Sequence, residues 1–216
     1  MQAIHLAIAT IPIAIYLILM GALRLRGRPL VTSGWRDLLT LAIACSGLVL
    51  IGPMQLFFPT HAAARLNGWV WVPLILLYVL GVLLVLLASK PRLIAYGLDE
   101  PQFRELFLQA ARSVDPNAVW QGDVAILPGA GLQVAMEPTG TSRVYQVVHV
   151  GALRNLQDWI RLERAFVQAA SRVTCPPSMA GWPFVLGGGL LLAISMLPLL
   201  SDPTAALAQL RDFLAR

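Results

Sequence analysis

The stretch RLRGRPLVTSGWR, residues 24–36, places four arginines between two long runs of apolar residues. An arginine near the centre of a bilayer costs about 2.5–3.5 kcal/mol, whereas a leucine or isoleucine there contributes only about 0.3–0.6 kcal/mol. The apolar neighbours therefore cannot draw these guanidiniums into the hydrocarbon. The stretch predicts a connection between two membrane-spanning helices that lies outside the hydrocarbon, with its charges at Arg24, Arg26, Arg28 and Arg36.

The composition of the whole chain agrees with this interpretation. Hydrophobic residues make up 57% of the 216 residues and charged residues 12%, which is far from the balance of an ordinary soluble protein. A hydrocarbon layer about 30 Å thick requires about 20 apolar residues in a spanning helix. Four runs without any Lys, Arg, Asp or Glu approach or reach that length, and we predict membrane helices over residues 3–23, 38–58, 69–89 and 182–200.

The distribution of positive charge predicts the orientation of the chain. Lys90 and Arg92 directly follow the third apolar run, so the segment after that run shares a side with the arginine-rich connection. Thirteen of the sixteen Lys and Arg residues then lie on one side of the membrane. Cytoplasmic segments carry such an excess. We expect residues 90–180 to be cytoplasmic and both termini to be outside, and the preference for arginine over lysine favours a bacterial inner membrane.

Residues 90–180 have the pattern of a small α+β domain. The segment RLIAYG predicts a strand, and Asp99 followed by Gln102 at capping-box spacing predicts the start of a helix. Extended segments separated by turn residues follow, and Asn155 begins a second helix that CPPS ends. These patterns predict a short antiparallel sheet of four or five strands with two helices on one face.

The C-terminal tail has a separate pattern. Ser201 and Pro203 are typical of a helix start, and Leu207, Leu210 and Leu214 recur at helical spacing. We expect an amphipathic helix on the outer membrane surface, with a frayed terminus as the alternative. The predicted organisation is a three-helix transmembrane region at residues 1–89, the α+β domain at 90–180, a fourth transmembrane helix at 181–200 and the amphipathic tail at 201–216.

One face of the predicted sheet is a candidate partner surface. If Leu132, Val134 and Met136 pack beneath the helices, the other face of the sheet stays uncovered and mixes apolar with charged groups. Such a surface suits a protein partner, a second copy of the domain or lipid headgroups, and an ordinary solvated face is the alternative. The residues that we assign to this face are Gln133, Glu137, Arg143, Tyr145, Val147 and His149.

The sequence offers little that is typical of catalysis or of cofactor binding. The four apolar runs contain no acidic or basic side chain that would mark a transport or proton pathway. His149, Asp123 and Glu137 form a metal site on paper, but their spacing matches no recognised ligand pattern. Phosphate-binding loops and nucleophile motifs are absent from the sequence. We expect no catalytic residue, no metal ligand and no cofactor.

The sequence also argues against a nucleic-acid site and against a disulfide bond. Residues 90–180 contain nine basic and eight acidic residues, and this balance gives no electrostatic attraction for nucleic acid. Cys45 lies in an apolar run and Cys175 in the Pro-rich segment after the domain. A disulfide between them would have to join the hydrocarbon to a loop, so we predict two free thiols.

These patterns favour an integral membrane protein that acts as an interaction, scaffold or regulatory module through its cytoplasmic domain. Its partners would be the lipid bilayer and either another protein or a second copy of the chain. An accessory subunit of a multi-chain transporter or membrane enzyme is the alternative, and a membrane enzyme in its own right is a third. The arginine cluster also has an alternative interpretation, as a site for anionic lipid.

Overall fold

The structure, a computed structural model, describes residues 3–53, 67–139, 143–151, 153 and 155–215. Its contacts divide the chain into two compact units. The unit that we call the helical unit consists of Met1–Ala22, Leu38–Ala88 and Trp182–Arg216. The other, the sheet unit, consists of Leu23–Asp37 and Ser89–Gly181.

The secondary structure of the described residues consists mainly of helices and one set of strands. The helices are α1 (Ala3–Leu25), α2 (Gly34–Ile51), α3 (Trp71–Ala88), α4 (Glu100–Val114), α5 (Leu156–Ser171), α6 (Trp182–Ser201) and α7 (Pro203–Ala215). Short 3-10 helices at Asn67–Val70 and Met179–Gly181 precede α3 and α6. The strands are β1 (Leu30–Ser33), β2 (Arg92–Tyr96), β3 (Val119–Gln121), β4 (Val124–Leu127), β5 (Leu132–Pro138) and β6 (Val144–His149).

The four predicted membrane helices are confirmed as long apolar helices. By length and composition α1, α2, α3 and the helix that ends with α6 are each able to cross a membrane. Helix α2 begins at Gly34, four residues before the predicted start at residue 38. Residues 34–37 form its first turn, ahead of the apolar run. The last part of the second predicted run, residues 54–58, lies outside the described residues.

Helix α1 contacts both α2 and α6 through glycines. A Cβ atom added at Gly47 of α2 would meet the backbone of Ile8, and one added at Gly188 of α6 would lie 2.8 Å from the carbonyl oxygen of Ala14. Close contact of this kind between helix backbones is the main source of packing energy available to helices in lipid. Along the α1–α6 contact the hydroxyls of Thr10 and Ser195 are 2.5 Å apart. Because Ala14 lies beside Gly188 farther along α1, the two helices run antiparallel.

Helix α7 confirms the predicted helix in the tail. The Asp202 carboxylate accepts hydrogen bonds from the Ala205 N–H at 3.0 Å and from the Thr204 hydroxyl at 2.8 Å. These hydrogen bonds lower the pKa of Asp202. The backbone N–H of Ile4 in α1 donates to Gln209 Oε1 at 3.3 Å, so α7 lies beside the start of α1.

Helix α3 is the least buried of the four long helices. Trp71, in its first turn, is its buried residue, and the Tyr78 hydroxyl donates to the carbonyl oxygen of Ala42 in α2 at 2.6 Å. Many of its leucines and valines are exposed within the described residues, among them Leu76, Leu80 and Leu84. Lipid or another helix has to cover these side chains if α3 spans a bilayer.

The sheet unit contains a six-stranded sheet in the order β1-β2-β6-β5-β4-β3 with antiparallel neighbours. The outermost strand β1 comes from the arginine-rich stretch and pairs Leu30 with Tyr96 and Ser33 with Leu93. We predicted that stretch only as a connection. Four residues are too short to show an alternating pattern, and β1 becomes a strand because the edge of β2 is available to it.

Helices α4 and α5 cover one face of the sheet and bury an aromatic core. Phe103 and Phe107 of α4 contact Phe166 of α5 edge to face, with ring centroids 5.6 and 5.3 Å apart. The predicted helix starts are present, because the Asp99 N–H donates to Gln102 Oε1 and the Gln157 N–H donates to Asn155 Oδ1. The prediction of an antiparallel sheet with two helices on one face is thus confirmed, although the sheet has more strands than predicted.

We predict opposite effects of one substitution at adjacent glycines of α6. Gly188→Ala introduces a methyl group 2.8 Å from a backbone oxygen of α1, and such overpacking costs about 1–3 kcal/mol. Nothing lies within 4 Å of a Cβ added at Gly189. Gly189→Ala should therefore stabilise the protein by about 0.5–1 kcal/mol, because alanine has a higher helix propensity than glycine. Thermal unfolding of the purified protein in detergent measures both effects. Equal melting temperatures for the two variants would contradict the α1–α6 contact.

Candidate interaction surface

The register between β5 and β6 decides which residues lie on which side of the sheet. Met136 lies opposite Val147, and Val134 lies opposite His149. Directly opposed residues of an antiparallel pair point to the same side. Val134 belongs to the core beneath the helices, so Val147 and His149 point to the helices as well. Their exposed fractions, 0% for Val147 and 3% for His149, agree with this placement.

The predicted partner face is therefore divided between the two sides of the sheet. Gln133 and Glu137 lie on the side away from α4 and α5 and are exposed. The prediction was wrong for β6, because it placed on the uncovered side the alternate side chains that point toward the helices. In β6 one alternating set is Val, Gln, Val and the other is Tyr, Val, His, so polarity alone does not distinguish them. The members that lie on the helix side are Tyr145, Val147 and His149.

Two of the predicted surface residues contact the helical layer directly. The ring of Tyr145 is 5.5 Å from that of Phe103 in α4. Arg143 donates from Nε to Asp99 Oδ1 at 3.0 Å and from Nη1 to the carbonyl oxygen of Pro176 at 2.9 Å. Its backbone φ of 61° lies in the left-handed region, where residues other than glycine are uncommon. Arg143 thus links the start of β6 to the start of α4 and to the segment before α6.

His149 is a buried histidine in the core of the sheet unit. Its ring lies edge to face with Trp159 of α5, with centroids 6.0 Å apart. Its backbone N–H donates to the carbonyl oxygen of Pro91 at 3.0 Å. Nε2 has no hydrogen-bond partner among the described residues. The side chain contributes to packing in this position and presents no group to a partner.

The side of the sheet away from α4 and α5 has a different set of residues from the predicted one. We define the open face as Gln133, Ala135 and Glu137 of β5, Gln146 and Val148 of β6, and Val124 and Ile126 of β4. Gln146 Nε2 donates to Glu137 Oε2 at 3.0 Å across the two central strands. The face mixes amide, carboxylate and aliphatic groups. Ile94 and Val144, which point to the same side farther along the sheet, are buried.

The three residues of the metal-site hypothesis do not come together. Asp123, in the turn between β3 and β4, forms an ion pair with Arg104 of α4. Glu137 is on the open face, and His149 is on the helix side. Because the sheet separates the last two side chains, they cannot bind one ion. Within the described ranges no group of three His, Cys, Asp or Glu side chains has metal-binding geometry.

The remaining buried reactive groups have structural roles. Burial raises the pKa of the Cys175 thiol, which packs against the core of the sheet unit. A raised pKa lowers the thiolate fraction and therefore the reactivity of the thiol. Asp115 at the end of α4 accepts hydrogen bonds from the N–H groups of Asn117 and Gly129, at 3.0 and 2.6 Å. It thereby attaches the β4–β5 turn to the helix.

The structure places the six residues predicted to determine topology in one unit. The sheet unit contains the last turn of α1, the first turn of α2 and the segment that follows α3. The Arg92 side chain lies against the backbone of Gly34, where an added Cβ would overlap Arg92 Cγ. The six residues are Arg24, Arg26, Arg28, Arg36, Lys90 and Arg92.

Two of the grooves formed by the described residues each combine separate segments of a single unit. One, of about 620 Å³, separates α2 from α3 in the helical unit and is lined by apolar residues with Cys45 and Tyr78. The other, of about 460 Å³, lies in the sheet unit between the first turn of α2 and the outer side of α5. It is lined by both apolar and charged residues. The sequence alone did not indicate either groove, because each combines residues from separate segments.

Comparison of the chain with protein-family models, with curated proteins and with solved structures finds no match.

A pair of adjacent substitutions tests the register of β6. Val147→Glu places a carboxylate in the core without a partner, and an uncompensated buried charge costs about 3–5 kcal/mol. Val148→Glu places the same group at a half-buried position of the open face, where water reaches the carboxylate and we expect a loss of only about 1 kcal/mol. Denaturant titration of the full-length protein in detergent, followed by tryptophan fluorescence, measures the difference. A larger loss from Val148→Glu would reverse the assignment of the two faces.

Proposed function

We propose that this chain is an integral membrane protein of a bacterial inner membrane whose cytoplasmic sheet unit binds a protein partner. Helices α1, α2, α3 and α6 would span the bilayer. Both termini would lie outside, and α7 would lie along the outer surface. The protein would act as an interaction, scaffold or regulatory module, and the open face would be the surface that contacts the partner.

The pairing of β1 with β2 is the observation that carries this topology. β1 lies between α1 and α2, and β2 follows α3. Strands that are hydrogen-bonded along their length must be on the same side of a bilayer, because the hydrocarbon offers no partner to backbone groups. The N–H of Ser178, just before α6, also donates to the carbonyl oxygen of Arg24 at 3.0 Å. These contacts support a common side for the three segments.

The positive charges support the cytoplasm as that side. Segments near the ends of membrane helices carry more Lys and Arg in the cytoplasm than outside. The sheet unit contains the arginine-rich connection together with Lys90 and Arg92. The opposite connection, residues 54–66, lies outside the described residues and has Arg65 as its one basic residue in the sequence.

A binding role is favoured by the way the sheet unit divides its two faces. One face is covered by α4 and α5 and contains the aromatic core. The open face has Gln133 and Glu137 exposed beside the half-buried aliphatic side chains of Val124, Ile126 and Val148. Surfaces that combine aliphatic area with a few hydrogen-bonding groups are typical of transient protein contacts. Catalysis is less favoured, because Asp123, Glu137 and His149 do not face one site.

Cysteine labelling tests the topology. In a chain with Cys45→Ala and Cys175→Ala, a cysteine at the exposed position of Thr174 should react with a membrane-impermeant maleimide only after cells are permeabilised. A cysteine at Ala62, in the connection predicted outside, should react in intact cells. The reverse pattern would invert the orientation. Reaction of both in intact cells would contradict the spanning helices.

A charge-matched pair of double variants tests the open face. Gln133→Lys with Glu137→Lys makes this face more positive. We expect crosslinking of the full-length protein to its partner in native membranes to fall at least about tenfold, which corresponds to a loss of about 1.4 kcal/mol of binding free energy. Glu105→Lys with Gln109→Lys makes the same charge change at exposed positions of α4. This control should keep the crosslinks. Equal crosslinking by both variants would exclude the open face.

An accessory subunit of a multi-chain transporter or membrane enzyme is the second candidate. The exposed apolar surface of α3 favours it, because a neighbouring membrane helix would cover side chains such as Leu80. Site-specific photocrosslinking in native membranes distinguishes the two functions. A photocrosslinker at position 80 would capture a membrane subunit, whereas one at position 133 would capture a cytoplasmic partner.

A further inference from the structure

The charged groove of the sheet unit combines two segments that are far apart in the sequence. One wall is the first turn of α2, with Trp35 and Arg36. The other wall is a stripe of α5 at helical spacing, because residues separated by three or four positions share one side of a helix. The α5 residues that line it are Ile160, Glu163, Arg164, Val167, Gln168 and Ser171.

Two guanidiniums and one carboxylate determine the charge of this groove. The Arg36 guanidinium carbon is 5.2 Å from the centroid of the Trp35 ring. Arg164 is exposed and has no ion pair among the described residues. Guanidiniums donate pairs of N–H groups to phosphate oxygens in a bidentate geometry. With Glu163 as the one acidic residue of the groove, its net charge is +1.

The groove begins in the same helical turn at which α2 becomes apolar. Arg36 precedes Leu38 by two residues, which is about 3 Å along a helix axis. Tryptophan side chains favour the headgroup level of a bilayer, and arginines there remain in contact with lipid phosphates. If α2 spans the membrane as proposed above, Trp35 and Arg36 lie at headgroup level, and the groove opens there.

We propose that this groove binds the headgroup of an anionic phospholipid with a phosphodiester. Arg36 and Arg164 donate to the phosphate oxygens, and the Trp35 ring lies among the headgroups. A phosphodiester has a single negative charge, which matches the net charge of the groove, whereas a phosphate monoester has about −1.5 to −2 charges at neutral pH. The Glu163 carboxylate favours headgroups that also offer hydroxyl donors, such as the glycerol of phosphatidylglycerol. The site rests on the membrane placement proposed above.

The structure also changes the lipid interpretation of the arginine cluster. Of the four arginines in residues 24–36, Arg36 is the one that lines the groove. Its partner Arg164 lies far away in the sequence, and helical spacing on α5 brings it to the same groove. The proposed site is thus a specific pair of guanidiniums on two elements and differs from a diffuse basic patch.

Calorimetric titration of the full-length protein in neutral detergent tests the site. The probes are dioctanoyl phosphatidylglycerol, dioctanoyl phosphatidylcholine and inorganic phosphate. We expect phosphatidylglycerol to bind to the unchanged protein. Arg164→Gln should lower the affinity for phosphatidylglycerol about fivefold, which corresponds to about 1 kcal/mol for one arginine near a lipid surface. Arg36→Gln with Arg164→Gln should weaken it further. The control is Arg112→Gln, which removes an exposed guanidinium from α4, outside the groove.

Each contrary outcome has a distinct meaning. Equal binding of phosphatidylcholine would overturn recognition of an anionic headgroup. Binding of inorganic phosphate at the same affinity would overturn a lipid as the ligand. Equal weakening by Arg164→Gln and Arg112→Gln would overturn the groove. If cysteine labelling gives the expected pattern but phosphatidylglycerol does not bind, this inference alone is excluded. If labelling contradicts the proposed topology, the proposed function is excluded as well.

Discussion

The pairing of β1 with β2 is the interaction on which the arrangement of this chain depends. It joins the connection between the first two long helices to the segment after the third. Backbone groups cannot remain unpaired in hydrocarbon, so a chain that crosses a bilayer several times can form such a sheet only where its connections meet water. If the chain spans a bilayer as proposed, this four-residue strand constrains the end of α1, the start of α2 and the end of α3. The arginines around it then keep the same residues out of the hydrocarbon.

The two units are stabilised by different kinds of contact. The core of the sheet unit is aromatic and aliphatic, and removal of its rings from water supplies most of the energy. In the helical unit Gly47 and Gly188 allow backbones to come close to α1, and the hydroxyls of Thr10 and Ser195 meet between helices. If these helices span a bilayer as proposed, lipid removes the hydrophobic advantage of burying leucine, and small residues and hydroxyls provide the contact. That placement would account for the exposed large apolar residues of α3 and α6 and for the burial of glycine and serine.

The sequence predicts those elements for which one pattern is long enough to have a single interpretation. Uninterrupted apolar runs identify the four long helices, and the capping-box spacing of Asp99 and Gln102 identifies the start of α4. The phase of β6 is not predictable in this way, because both alternating sets contain valine and a polar residue. Its phase follows from the pairing with β5, which is a contact between strands. For the same reason the groove that contains Arg36 and Arg164 is visible only once α5 lies beside the first turn of α2.

The position of β1 also has a consequence for any ligand of the sheet unit. β1 ends at Ser33 and α2 begins at Gly34, so no linker separates the sheet edge from a long apolar helix. The Arg92 side chain lies against Gly34 at that junction. A ligand alters such a junction only if it binds one of two arrangements more tightly. The headgroup proposed above would meet this condition, because it would contact α2 and α5 together and would lose one of its two guanidiniums if they separated.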